Sequence, residues 1–168
     1  DVVASARTSV EREWPNGRVD VDIEVDAERC VSESLHVALV ELCENGIKHA
    51  MDDESDAAGN DESDAAENDG KSDTGDDEPD TAGTDAPRVT VTVEDGVEPG
   101  WITVRVADEG SGIPPHELAA LRAGAETPLQ HGSGLGFWLA RFVVQQLGGD
   151  VSARSNDGGS VVSLDVPL

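Results

Sequence analysis

The sequence predicts an α/β sandwich: a mixed, largely antiparallel sheet covered on one face by about three helices. Two observations carry this. Short segments alternate strictly between apolar and polar residues, as half-buried strands do, and they fall largely in hairpin pairs. Between them lie three longer segments whose apolar residues recur at helical spacing.

Taken in chain order, Val2 to Glu13 reads as a helix closed by the turn signal Pro15-Asn16-Gly17. Val19, Val21, Ile23 and Val25 then alternate with Asp20, Asp22 and Glu24, which predicts a strand with the apolar set facing inward. Ser32 to Ala50 reads as a helix with Ser32 as N-cap. Its apolar face comprises Leu35, Ala38, Leu39, Leu42, Cys43 and Ile47. Val89, Val91 and Val93 form a second strand, and Asp95-Gly96 to Gly100 a turn. Ile102, Val104 and Val106 form the third strand, closing a hairpin. Asp108 to Pro114 is a glycine-rich loop, Pro115 to Leu121 a short helix, and Arg122 to Gly132 irregular. Leu135 to Leu147 is a helix stopped by Gly148-Gly149, with Leu135, Leu139, Phe142, Val143 and Leu147 expected to face inward. Val151 to Ala153 and Ser160 to Val166 make a final hairpin around Asn156-Asp157-Gly158-Gly159.

One segment stands apart. Met51 to Pro87 holds 15 of the 36 acids and a single base, Lys71, and repeats Glu54-Ser55-Asp56-Ala57-Ala58 as Glu62-Ser63-Asp64-Ala65-Ala66. With almost no apolar surface to bury, it is expected to be a disordered acidic insertion, 51–87, within a single domain spanning 1–168.

Charge excludes several classes of function. The 168 residues carry a net charge of −25. A nucleic-acid surface needs clustered Lys and Arg, and contact with an anionic membrane needs the same. Acids spread along the whole chain, with only Lys48 and Lys71 as lysines, suit a proteome adapted to molar salt, where screening suppresses repulsion. An acidic interaction protein is the other explanation. Cys30 and Cys43 form no metal-binding spacing, and Cys43 falls on the apolar side of its helix. No apolar stretch is long enough to span a bilayer, so a cytoplasmic location is expected.

Three motifs carry candidate chemistry. Opposite the apolar face of the second helix, Glu41, Asn45 and Lys48 share a stripe. Such a stripe is often merely solvated. Gly46 beside it, however, is unfavourable mid-helix by roughly 1 kcal/mol relative to Ala, which makes sense if something must approach the backbone. An Asn carboxamide is also a hard oxygen donor suited to Mg2+ that keeps most of its waters. Next, Asp108-Glu109-Gly110-Ser111-Gly112-Ile113-Pro114 puts a carboxylate at a strand end before two glycines. The acid can accept from the exocyclic amine of adenine and the glycines let backbone approach a base, though such a run also makes ordinary turns. Third, His131-Gly132-Ser133-Gly134-Leu135-Gly136 opens directly into a helix. Backbone amides at a helix N-terminus suit phosphate, while a flexible cap is the plain alternative.

Together and in this order, the motifs resemble the ATPase superfamily of histidine kinases, type II topoisomerases and mismatch-repair ATPases. Glu41-Leu42-Cys43-Glu44-Asn45-Gly46-Ile47-Lys48-His49-Ala50 looks like the N box, Asp108–Pro114 like the first glycine box and Gly132–Gly136 like the second. Lys48-His49 and the ending Val166-Pro167-Leu168 are kinase-like. The run Glu126 to Gly136 is similar to sensor kinases of halophilic archaea. The resemblance implies a Bergerat-type fold binding ATP and Mg2+. Asn45 would ligate the metal, and Asp108 would bind the adenine amine with Gly110, Gly112 and Ile113 shaping the base pocket. Gly132, Ser133, Gly134, Leu135 and Gly136 would form the phosphate-side hinge, Lys48 and His49 would contact phosphate, and Glu41 would stand where hydrolysing relatives place a general base.

The implied activity is that of a sensor histidine kinase catalytic domain. It would transfer the γ-phosphate to a histidine on a dimerisation and phosphoacceptor domain, expected before Asp1 in a parent chain, and so serve a response regulator indirectly. None of His36, His49, His116 and His131 has an acceptor setting. A stand-alone serine kinase of the anti-sigma type and an ATP-sensing module without transfer are the alternatives.

Overall fold

A computed structural model describes residues 2–25, 31–57, 86–113, 115, 118–119, 134–156 and 158–168. The elements are α1 (Val2–Glu13), β1 (Arg18–Ile23), α2 (Leu35–Ala57), β2 (Arg88–Asp95), β3 (Trp101–Asp108), α3 (Gly134–Gln146), β4 (Asp150–Asn156) and β5 (Gly159–Pro167). The five strands form one sheet in the order β1-β2-β3-β5-β4. Only β1–β2 is parallel, a pairing that requires a crossover, and α2 lies within it. The other pairs are antiparallel, so the expected α/β sandwich with a mixed sheet is the architecture found.

The core lies between the three helices and one face of the sheet. β2, β3 and β5 contribute Val89, Val91, Val93, Ile102, Val104, Val106, Val162, Leu164 and Val166 to it, every second residue along each strand. From α2 come Leu35, Ala38, Leu39, Leu42, Cys43 and Ile47, the expected face, and from α1 Val3, Ala6 and Val10. Burying each large side chain contributes about 1.5–3 kcal/mol relative to exposure.

Four expectations are corrected. α2 begins at Leu35, after a turn in which Ser32 keeps the bonds of an N-cap: its hydroxyl accepts from the Ser34 amide (3.3 Å) and its carbonyl from the Leu35 amide (3.0 Å). The helix continues to Ala57, so Met51 to Ala57, expected to lack structure, is helical. Extending a formed helix is cheap, and the first strong breaker is Gly59. In β1, Val19 is buried but Ile23 is 45% exposed, because β1 is an edge strand and Ile23 its last residue. In α3 the inward stripe is Phe137, Ala140 and Val144, while Leu139 is half-buried and Val143 and Leu147 pack only partly. Phe142 is 47% exposed and stacks on Trp138, ring centroids 5.7 Å apart. α3 is apolar nearly all round, so periodicity does not select a face. Its end matches expectation: Gly148 adopts φ +81° and the Gly149 amide bonds back to the Val144 carbonyl (2.9 Å). The rest of the acidic segment (58–85), most of the short helix begun at Pro115, and residues 120–133 lie outside the described residues.

Candidate functional site

The three motifs meet at the middle of α2. Gly46 is buried there, facing the sheet. A Cβ on it would stand 2.7 Å from Val89 Cγ2 and 3.1 Å from Asp108 Cβ. The close approach that the glycine permits is therefore to the end of β3. One residue earlier, Asn45 turns toward α3. A Cβ on Gly136 would overlap the Asn45 carboxamide and lie 3.1 Å from Glu41 Oε2. Thus Asp108, Asn45 with Glu41, and the first turn of α3 are held together by two glycines, each against a side chain of another motif. His49, four residues after Asn45 on the same helix face, is half-buried.

Asp108 is half-buried and firmly held. Its Oδ1 accepts from the Gly110 amide (3.1 Å) and the Ser160 amide (3.2 Å), while Oδ2 accepts a short hydrogen bond from the Ser160 hydroxyl. A carboxylate has four lone-pair sites, so one on Oδ2 is left for a further donor. Gly112 follows at φ +81°, a conformation that favours glycine, and the Ile113 amide donates to Ser155 Oγ (2.6 Å). Gly159 at φ +126° lies so close to the Asp108 carbonyl that a Cβ would overlap it.

Lys48 sits apart from this cluster. Its ammonium is 3.7 Å from Glu44 Oε2 and lies over the Trp14 ring, 5.4 Å from the centroid. Burial, with the Glu13 and Glu41 charges adding, raises the Glu44 carboxyl above the usual range, and Lys48 only partly offsets this. Gly134 and Leu135 open α3, whereas Gly132, Ser133 and the Leu135 side chain lie outside the described residues. Ser155, Gly159 and Ser160 were not among the candidates. Only the register, which sets Ser160 opposite both Asp108 and Ser155, brings them to the site, and the turn sequence Gly158-Gly159 was the sole local hint.

Residues 30–168 match the family model "Histidine kinase-, DNA gyrase B-, and HSP90-like ATPase". The chain belongs to this ATPase family. No curated sequence matches it. Among solved structures it is similar to a mycobacterial sensor histidine kinase, MprB, at 20% identity and TM-score 0.61, covering 99% of this chain and 91% of that one. It is similar also to the nucleotide-free catalytic domain of histidine kinase ThkA, at 15% identity and TM-score 0.65, covering 99% and 90%. The blue-light activated histidine kinase of Erythrobacter litoralis aligns over 61% of its own length, at 19% identity and TM-score 0.56. These likenesses establish the shared fold. Within this ATPase-family domain, no described helix is long and apolar enough to cross a membrane.

Proposed function

We propose that this domain binds Mg·ATP and serves as the catalytic domain of a two-component sensor histidine kinase, passing the γ-phosphate to a histidine on a dimerisation and phosphoacceptor domain. The observation that supports this most is the convergence of Asp108, Asn45 and Gly136 on one stretch of α2.

Base selection follows from Asp108. Its one open acceptor position, on Oδ2, suits an amine donor such as the adenine N6–H. The oxygen that guanine carries in that place would face the carboxylate with like polarity. A hydrogen bond to a charged group contributes about 1.5–3 kcal/mol. Gly110, Gly112 and Ile113 form the loop against which the base would lie.

The donor set on α2 fits a divalent ion. Asn45 offers a carboxamide, and the glycine at position 136 leaves that group uncrowded. Among the described residues no group of three or more His, Cys, Asp or Glu forms a metal cage. An ion held by one side chain, water and phosphates is the mode Mg2+ prefers. Mg2+ bound through Asn45 supplies neutralisation of phosphate charge. The amides of α3's first turn, at Gly134, Leu135 and Gly136, suit phosphate oxygens, and we assign Gly132 and Ser133 to the same role from the sequence motif alone. His49 shares Asn45's face and adds a further donor. Glu41 is the carboxylate able to orient or deprotonate a nucleophile. Lys48 reaches phosphate only by leaving Glu44, whose side chain is only 13% exposed. In the transfer, the bond from the γ-phosphorus to the bridging oxygen of ADP breaks as the bond to the acceptor imidazole nitrogen forms.

The net charge of −25 further supports work in high salt. The proposal includes a cytoplasmic partner chain and a response regulator downstream. The test is incubation in molar KCl with Mg2+, γ-labelled ATP and a histidine-kinase dimerisation and phosphoacceptor domain. Labelled product that is acid-labile and alkali-stable, as a phosphohistidine is, supports the proposal. Acid-stable label indicates a serine kinase instead, and nucleotide binding with no label on the acceptor leaves a sensing module.

A further inference from the structure

Ser155 and Ser160 are direct partners across β4 and β5, and Ser160 is in turn the partner of Asp108 across β3 and β5. Directly paired residues place their side chains on the same side of a sheet. Each serine holds a different end of the loop that runs from Asp108 to Ile113. At the near end Ser160 binds Asp108 through both its amide and its hydroxyl. At the far end the Ser155 hydroxyl accepts from the Ile113 amide at 2.6 Å, and its own proton points toward the Gly159 carbonyl at a long 3.5 Å. Between the two anchors the chain passes through Gly112 at φ +81° and offers the Gly110 amide to Asp108.

We infer that Ser155 is a positioning residue for the base-binding loop: with Ser160 it forms a two-point clamp that fixes the loop's far end at a set distance from Asp108. This rests on the proposed nucleotide reading, and adds to it a residue that touches neither phosphate nor the base's amine. The geometry explains why the clamp matters. Gly110 and Gly112 adopt many conformations at little cost, so the loop does not hold its own shape. Anchored only at Asp108, it would sample positions in which Gly112 and Ile113 leave the base unsupported. Ordering it would then fall to the nucleotide, and affinity would be scaled down to the fraction of time the competent form is present. Ser155 removes that freedom beforehand by means of one hydrogen bond, and replacing the hydroxyl also leaves the part-buried Ile113 amide unpaired.

The test compares wild type, Ser155→Ala and Ser155→Thr in two measurements. Amide hydrogen exchange without nucleotide is followed at Ile113 and, as a reference for global opening, at Val162 in the core of β5. Calorimetry then gives the Kd for Mg·ATP. In Ser155→Ala the Ile113 amide is expected to exchange about 10-fold faster and the Kd to rise about 10-fold, a loss of one net hydrogen bond, with Val162 quickening by no more than the same factor because global opening also breaks that bond. Ser155→Thr, which keeps the hydroxyl, is expected to restore both. Unchanged exchange at Ile113, or a larger acceleration at Val162 than at Ile113, would overturn the proposal. So would faster exchange at Ile113 with an unaltered Kd. If wild type itself fails to bind Mg·ATP, the nucleotide reading falls and the clamp's role in binding with it. Binding by wild type with no change in Ser155→Ala refutes the clamp alone.

Discussion

Replacing Gly46 by Ala sets two effects against each other at the centre of the site. Alanine gains about 1 kcal/mol of helix propensity over glycine at a mid-helix position. The added methyl, however, arrives 2.7 Å from Val89 Cγ2 and 3.1 Å from Asp108 Cβ, where carbon atoms pack comfortably near 3.5–4 Å. The contact must open by about 1 Å. Val89 is fully buried with no room to retreat, and Asp108 is tied by three hydrogen bonds. Overpacking of this kind costs about 1–3 kcal/mol, so the steric loss exceeds the propensity gain and a net destabilisation of ~1 kcal/mol is expected. For a domain of this size that lowers Tm by roughly 2–4 °C. Because the strain falls on Asp108, Mg·ATP affinity should drop about 10-fold as well. In a Val89→Ala background, with the clashing Cγ2 gone, Gly46→Ala should cost about 1 kcal/mol less. Calorimetric melting of the four proteins, with nucleotide titration, measures all of this. A rise in Tm on Gly46→Ala with unchanged affinity would refute the packing argument, since propensity alone would then govern the position.

Other outcomes follow from the same geometry. Gly136→Ala places a methyl on the Asn45 carboxamide and should weaken Mg·ATP binding at least 10-fold, more than Gly134→Ala does, as judged by titration calorimetry. Cys43, fully buried, has its thiol pushed up to about 12, first by burial and then by the Glu44 charge. In a Cys30→Ser background, a disulfide reagent at pH 8 should label Cys43 no faster than the domain unfolds. Since the folded thiol holds its proton above the pH at which the unfolded one loses it, stability should decline from about pH 9 upward. Glu44, raised by burial and by Glu13 and Glu41, follows the same sign: its contribution is present in acid and lost as pH rises through its titration. The Tm of Glu44→Gln relative to wild type should therefore increase between pH 4 and pH 7, and a flat difference would show the carboxyl to be unstrained.

Much of this fold can be read from the sequence because its elements have one-sided patterns. In α2, Leu35, Ala38, Leu39, Leu42, Cys43 and Ile47 leave a single apolar stripe, and that stripe is the one buried. α3 is different: Phe137, Trp138, Leu139, Phe142, Val143 and Val144 surround the helix. Contacts such as that of Gly136 with Asn45 select the face, and these are tertiary. Gly46 signals a close approach, but the identity of the neighbour, Val89 and Asp108, depends on which strand lies beneath α2. Ser155 and Ser160 are invisible for a similar reason. A serine in a strand carries no signal until register sets it opposite an acid 52 residues away. Lys48 shows the limit from the other side. Its spacing suits the polar stripe, yet Trp14 and Glu44 offer a cation–π contact and an ion pair that draw the ammonium away from Asn45.

The measurement that bears most directly on the nucleotide site is calorimetric titration of the domain with Mg·ATP and with Mg·GTP in molar KCl, for wild type and Asp108→Ala. Saturable one-to-one binding of ATP, weaker binding of GTP, and loss of most ATP affinity in the variant are expected. Absence of ATP binding by wild type, or equal affinity in Asp108→Ala, would contradict the assignment of Asp108, Asn45 and Gly136 to a nucleotide site.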